Sequence, residues 1–199
     1  MKAILISLIL CTSSLVWAKQ VPIDTTKSTL NWLGQKKIPG GDHKGTVKIK
    51  KGTVNLDKNS KLTGGTLVID MTTIEDTDLS GKYKKQLEQH LNSDDFFSTT
   101  KHPEATFKIT KVEPTRANVY KVTGNLTIRK TTHPETFEVT LSKKGKTWMA
   151  SGEITFDRTK YGVTYNSETW GIKKAIKIAK DKIIKDTIKL TLNLQTQSI

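Results

Sequence analysis

The sequence is short of the parts from which metal and catalytic centres are usually made. It holds one cysteine, Cys11, and four histidines, His43, His90, His102 and His133, with no two spaced three to five residues apart. Zinc sites draw on Cys and His at such short spacings, so no metal centre is expected. His102 and His133 each precede a proline, which marks extended or turn positions. His90 falls at the end of a predicted helix, where it can cap carbonyls. The carboxylates come as neighbours, Asp94-Asp95 and Glu75-Asp76, whereas a glycosidase pair faces across its substrate. Asp94 and Asp95 are better placed to tie a turn through bonds from side chain to backbone. Ser151 has no nucleophile elbow around it. No catalytic residue and no cofactor is expected, and the chain does not read as an enzyme.

Arginine is also scarce. Arg116, Arg129 and Arg158 are the only ones, although Lys and Arg together number 33 against 19 acidic residues, a net charge of +14. Such an excess favours anionic partners. Lysine lacks the bidentate fork that suits base reading and phosphate clamps, so nucleic acid is not expected. One reading is a basic protein that meets anionic membranes or polymers through its lysines. A solubilising lysine coat on the outside of a sheet accounts for the same charge.

Long apolar runs are missing except at the start. Lys2, the apolar stretch Ala3 to Leu10 and the small-x-small exit Val16-Trp17-Ala18 make the three-part pattern of a signal peptide over residues 1–18. The apolar stretch is too short to span a bilayer. Cys11 follows Leu10, which is not the small residue that a lipid-modified cysteine normally follows, so a lipoprotein is not expected. Cleavage after Ala18 would leave residues 19–199 as one exported, periplasmic domain without cysteine. Its core alone would hold it together.

What the chain has in plenty is alternation with period two, the mark of half-buried strands. Tyr120, Val122, Gly124, Leu126 and Ile128 alternate with polar residues, as do Ile188, Leu190, Leu192 and Leu194. The same holds for Phe137 to Leu141, Trp148 to Phe156, Ala105 to Ile109 and Leu67 to Met71. Residues 28–36, with Leu30 and Trp32, form an opening strand. Lys44 to Asp57 changes phase near Gly52, as a bulge would require. Turn signals separate these eight strands at Pro39-Gly40-Gly41, Asp57-Lys58-Asn59, Pro114 to Asn118 and Lys143-Lys144-Gly145. An all-β, eight-stranded antiparallel up-and-down barrel fits, and so does a two-sheet sandwich on alternation alone. The lack of a long Greek-key crossover favours the barrel.

Two short helical segments interrupt the strands. Ser80 to Leu91 spaces Tyr83, Leu87 and Leu91 four apart, with Asp78 and Ser80 as candidate N-caps. Gly171 to Lys185 puts Ile172, Ile176, Ala179 and Ile183 on one face and crowds lysines around the rest. A basic amphipathic helix can lie on anionic lipid. Its narrow apolar stripe fits better with a solvated outer face whose isoleucines plug the barrel.

Several stretches carry a family resemblance: His90-Leu91-Asn92-Ser93-Asp94-Asp95-Phe96-Phe97, Pro103 to Phe107, Val122 to Ile128 and Thr132 to Phe137. Gly45-Thr46-Val47 and Gly65 to Met71 agree in order and spacing. Together these closely resemble the YceI family of lipocalin-like proteins, over essentially the whole chain after residue 18. The resemblance implies an eight-stranded barrel exported to the periplasm. It also implies an elongated apolar interior that holds a polyisoprenoid, quinone or similar long-chain lipid. The basic segment from about Asn166 to Asp186 departs from the family pattern at the mouth.

The inward positions fit such an interior. Gly34, Ala105, Gly124, Ala150 and Gly152 are small, which either opens a cavity or permits close packing. Trp32, Phe107, Leu126, Ile128, Trp148, Ala150, Ile154, Phe156, Leu190 and Leu192 are the expected cavity lining. Phe96, Phe97, Tyr161, Tyr165 and Trp170 are candidates for the mouth or lid. The two phenylalanines suit packing of the helix on the barrel better than a lid, and the other three either touch a headgroup or staple the basic helix. At about 0.8 kcal/mol per buried CH₂, a tail of a few prenyl units supplies on the order of 10 kcal/mol before ordering costs.

Overall fold

Alternating burial runs through the long strands, because one face of each meets the interior and the other meets water. The computed structural model describes residues 19–169 and 180–198. Its strands are β1 (Lys19–Pro22), β2 (Thr29–Lys36), β3 (His43–Leu56), β4 (Leu62–Asp76), β5 (Glu104–Arg116), β6 (Val119–Ile128), β7 (Thr131–Lys144), β8 (Thr147–Asp157) and β9 (Ile184–Gln195). An α-helix, α1 (Gly81–Asn92), follows β4, and a 3-10 turn, Arg158–Tyr161, follows β8. In β6, Tyr120, Val122, Gly124, Leu126 and Ile128 are buried while Lys121 and Asn125 are exposed.

Each strand from β2 to β9 pairs antiparallel with its sequence neighbours, and β9 returns to β2. The result is a closed eight-stranded up-and-down barrel, not a sandwich. The short β1 is an addition to the eight strands expected. It pairs with the second half of β3 while β2 pairs with the first half, so β1 and β2 are two pieces of one wall position. Four residues with one buried side chain, Val21, are too few to show a period.

The phase slip in β3 is a bulge. Ile49 pairs with Ile69 and Lys51 with Val68, leaving Lys50 over, two residues before the expected Gly52. The turn expected at Pro114 to Asn118 is shorter than that. Strand β5 runs through Arg116, and only Ala117 and Asn118 turn, with Asn118 at φ 60. A second tight turn at Arg129-Lys130 puts both residues at positive φ, 50 and 66.

These connections give the barrel two unlike ends. At one end only short turns join β3 to β4, β5 to β6 and β7 to β8. The other end carries the long excursions, residues 77–103 with α1 and residues 158–183. On α1, Leu91 is buried and Leu87 half-buried, but Tyr83, expected on the same face, is 64% exposed. Ser80 is the N-cap residue without a side-chain cap bond. Asp78, the other candidate, instead accepts the Lys44 N–H at 2.8 Å.

The basic helix expected over 171–185 needs correction at its end. Residues 170–179 lie outside the described residues. Lys180–Lys182 is a 3-10 turn, and Ile184 and Lys185 already belong to β9. Ile184 pairs with Lys36 of β2, and its N–H bonds to the Asn166 carbonyl at 2.9 Å. Ladder bonds at a barrel rim thus outweigh a local helical pattern.

Candidate functional site

The barrel interior contains two apolar cavities. The one beneath α1 measures about 100 Å³, is walled by Trp32, Ile69, Met71, Leu126, Ile188 and Leu190, and is roofed by Leu91, Phe96 and Phe97. The other, towards the short-turn end, measures about 70 Å³ and is lined by residues that include Val54, Leu67, Phe107, Phe137 and Leu192. Leu30, Ile49 and Ile154 are buried core residues at the level between them. They pair with Leu192, Ile69 and Leu190 respectively. The interior is therefore divided by a waist.

The expected lining residues fall into three groups. Trp32, Leu126, Ile128, Phe156 and Leu190 line the α1-end cavity. Phe107, Ala150 and Leu192 line the second. Trp148 and Ile154 are buried in the core and line neither. The small inward residues also divide. A side chain on Gly34 would meet open space, and Ala105 lines the α1-end cavity. At Gly124, by contrast, a Cβ would come within 2.4 Å of the Phe107 ring. At Gly152 it would meet the Glu138 carbonyl at 2.7 Å and the Phe137 ring at 3.5 Å. The Phe107 and Phe137 rings, 5.4 Å apart, occupy the room these glycines leave. Close packing accounts for one pair, open space for the other.

Phe96 and Phe97 both pack and roof. They are buried at 6% and 8% exposure and face the cavity. Tyr165, 37% exposed, meets His90 edge-on and lies 5.5 Å from the Phe96 ring. The His90 ring does not cap carbonyls; it faces Asp95 at 3.3 Å, while Ser93 takes the His90 carbonyl. Asp94 accepts from Ser98 Oγ and, at 2.5 Å, Lys101 Nζ, so its carboxylate joins side chains to a turn that backbone bonds such as Ser98 N–H to the Ser93 carbonyl (2.8 Å) already close. Trp170 lies outside the described residues.

Tyr161 is a wall residue rather than a mouth residue. The β7–β8 ladder covers only Val139–Lys144 against Thr147–Gly152, leaving the first half of β7 without a β8 partner. Tyr161, 1% exposed, fills that seam. Its hydroxyl donates to Glu135 Oε1 at 2.9 Å, and its ring meets His133 and Phe156 edge-on. Burial, then the Glu135 carboxylate, pushes its hydroxyl pKa upward.

Arg158 is the residue that sequence reasoning missed. It is 1% exposed and lines the α1-end cavity together with Lys185. It donates to the carbonyls of Lys185 (3.0 Å), Val163 (2.8 Å) and Ile184 (3.2 Å). Asp186 lies 3.9 Å away. Burial lowers the guanidinium pKa, with Asp186 opposing. For Asp186, burial raises the carboxyl, but hydrogen bonds from Ser167 and Thr169 outweigh it and the net shift is downward. The signal was present: Arg158 continues the inward alternation Trp148, Ala150, Gly152, Ile154, Phe156 by one more step. Arg129, at the β6–β7 turn, donates to the Phe96 and Gly162 carbonyls at 2.8 and 2.9 Å, clasping the roof to the segment after Tyr161.

One further cluster joins residues that are distant in the chain. Strand pairing sets Gly45 opposite Asp76 and so brings His43 beside Asp76 and Asp78. Burial raises the Asp76 carboxyl, outweighing the Leu79 N–H. At Asp78, burial is outweighed by the Lys44 N–H and His43, and the carboxyl is lowered.

The model of the YceI-like domain matches residues 22–196. The chain belongs to the YceI family. A protein YceI of Shigella flexneri is 36% identical over 101 residues, 51% of this chain and 50% of its own. A UPF0312 protein of Pseudomonas putida is 36% identical over 86 residues, 43% of each chain. These alignments span about half the length of the curated relatives. Among solved structures, BcnA of Burkholderia cenocepacia has a similar fold, with TM-score 0.67 at 21% identity over 88% of this chain and 99% of that one. A polyisoprenoid binding domain from Saccharophagus degradans gives TM-score 0.61 at 15% identity, covering 89% and 98%. At such identities the likeness establishes the YceI barrel and no ligand.

Proposed function

We propose that this YceI barrel binds a long-chain amphiphile, a polyisoprenoid or quinone-like lipid, with its tail in the α1-end cavity and its head near Arg158. The observation that carries the reading is a cavity walled by apolar side chains with one buried guanidinium at its rim. Apolar walls reward a hydrocarbon tail in proportion to its buried area. A cation in a low-dielectric setting favours a head with acceptor oxygens, such as a phosphate or a quinone carbonyl. The similar domain from Saccharophagus degradans is described as polyisoprenoid binding, which supports the same ligand class. A tail longer than the first cavity needs the waist at Leu30, Ile49 and Ile154 to part before it reaches the second cavity, which the half-buried Phe107 and Phe137 rings line.

In this reading the chain is exported to the periplasm after loss of residues 1–18, and it carries a lipid without transforming it. Its lysine excess would support peripheral contact with anionic membranes, a contact that salt should weaken. The test is mass spectrometry of an organic extract from gently purified protein, followed by reloading with a prenyl phosphate and a prenyl quinone. A stoichiometric lipid is expected. Ala105→Trp, which fills the α1-end cavity, should abolish reloading, and Ala150→Trp should shorten the tail accepted. Unchanged binding in Ala105→Trp would sink the interior-binding model.

A further inference from the structure

The sequence has no ligand spacing for a metal ion, yet the fold assembles three donors at the rim of the barrel. One ligand atom from each of His43, Asp76 and Asp78 lies within 4.8 Å of the other two. His43 Nδ1 stands 3.1 Å from Asp78 Oδ2. Asp76 is 0% exposed. Its Oδ1 accepts the N–H groups of Asp78 at 3.2 Å and Leu79 at 2.7 Å. Its Oδ2 is buried and has no hydrogen-bond donor.

A buried carboxylate oxygen without a donor is costly, and native structures rarely keep one unless something else satisfies it. The nearby cationic side chain is engaged elsewhere: Lys84 Nζ lies 2.6 Å from Glu75 and 3.7 Å from Glu88. Glu88 in turn accepts the Asp76 N–H at 3.1 Å. The cluster thus joins a carboxylate with an open oxygen to a second carboxylate and an imidazole, and among the described residues no lysine or arginine side chain bonds to it.

We propose that His43, Asp76 and Asp78 form a binding site for a divalent transition cation, with Zn²⁺ as the ion to test. An imidazole nitrogen with two carboxylates is a borderline donor set, matched to zinc rather than to Ca²⁺ or Mg²⁺, which take oxygen ligands. Three protein donors leave a fourth position for water. The cation would take the place of the present contact between His43 Nδ1 and Asp78, with the imidazole ligating through Nδ1 and carrying its proton on Nε2. It fastens the start of β3 to the segment leading into α1, whose Leu91 roofs the cavity. This site stands independently of the lipid reading.

The experiment is calorimetric titration of the EDTA-stripped protein, expressed without a histidine tag, with zinc chloride, alongside thermal unfolding. One equivalent should bind and raise Tm, and magnesium at the same concentration should do neither. Asp76→Asn keeps an oxygen for the Asp78 and Leu79 N–H groups and should weaken binding at least tenfold. His43→Gln should do the same, while His102→Gln should leave affinity unchanged. His43 is part-exposed, so its variant decides the matter if Asp76→Asn fails to fold. Absence of stoichiometric binding overturns the proposal. Binding indifferent to both His43→Gln and Asp76→Asn also overturns it and places the ion elsewhere.

Discussion

The two ends of the barrel are held together by different physics. At the short-turn end, buried apolar side chains such as Val21, Leu141 and Val122, all at 2% exposure or less, meet under tight turns. At the α1 end, polar groups take over: buried Arg158 on three carbonyls, Asp186 on Thr169, Tyr161 on Glu135 and the half-buried Arg129 on two more carbonyls. Apolar packing seals without direction, whereas a polar network fixes position and depends on every partner staying in place. The cavity with the larger volume lies at the polar end. The proposed lipid site lies where the core is incomplete and the backbone excursions are long, so directional bonds must replace packing there.

The largest expected effect tests that contrast directly. Arg158→Met leaves three carbonyls without their donor and Asp186 without its nearest charge, and should cost about 3–5 kcal/mol in urea unfolding. A loss below about 1 kcal/mol would mean the α1 end is held by packing after all. At the other end, Leu141→Ala should cost about 3 kcal/mol through lost burial and the cavity left behind. Its loss should be the same at pH 4 and pH 7, because no titrating group touches that deletion.

A pH series sharpens the comparison. The folded Asp186 carboxyl is held below its ordinary value, so its contribution is complete above about pH 4. That contribution disappears as pH falls through the folded value. Asp186→Asn should be less stable than the parent at pH 7, and the gap between them should narrow towards pH 2. A gap that stays constant would show that the carboxylate charge contributes nothing. The smallest effect is Tyr161→Phe, which keeps the ring in the β7–β8 seam but removes the bond to Glu135. It should cost about 1 kcal/mol and leave lipid loading unchanged.

Much of this molecule was legible in its residues. Period-two alternation locates eight strands, and the motif ending at Phe96-Phe97 carries the resemblance to the YceI family. The inward faces of β6, β8 and β9 were read correctly because side-chain direction follows strand parity. The same parity, carried one step beyond Phe156 and Ile188, points to Arg158 and Asp186, whereas Asp76 lies past a register shift in β4 that breaks the period. It was not carried on because charged residues at strand ends ordinarily mark the surface. The end of the predicted basic helix misled because Ile183 and Ile184 satisfy a helical spacing and a strand equally over so short a run.

The sequence by itself determined the strand count within one and the apolar inward faces, since these follow from local alternation and short turns, whereas closure of the sheet between β9 and β2 is a tertiary fact. Only the tertiary structure decided which small residues open space and which merely admit a ring. Gly34 and Gly124 are chemically identical, and what distinguishes them is whether a phenylalanine from the neighbouring strand leans over. The same is true of His43 and Asp76, thirty-three residues apart and brought together by the β3–β4 ladder. Period and turn chemistry are properties of neighbours in the chain, whereas cavities and ligand clusters arise from contacts between residues distant in the chain, fixed only when the barrel closes.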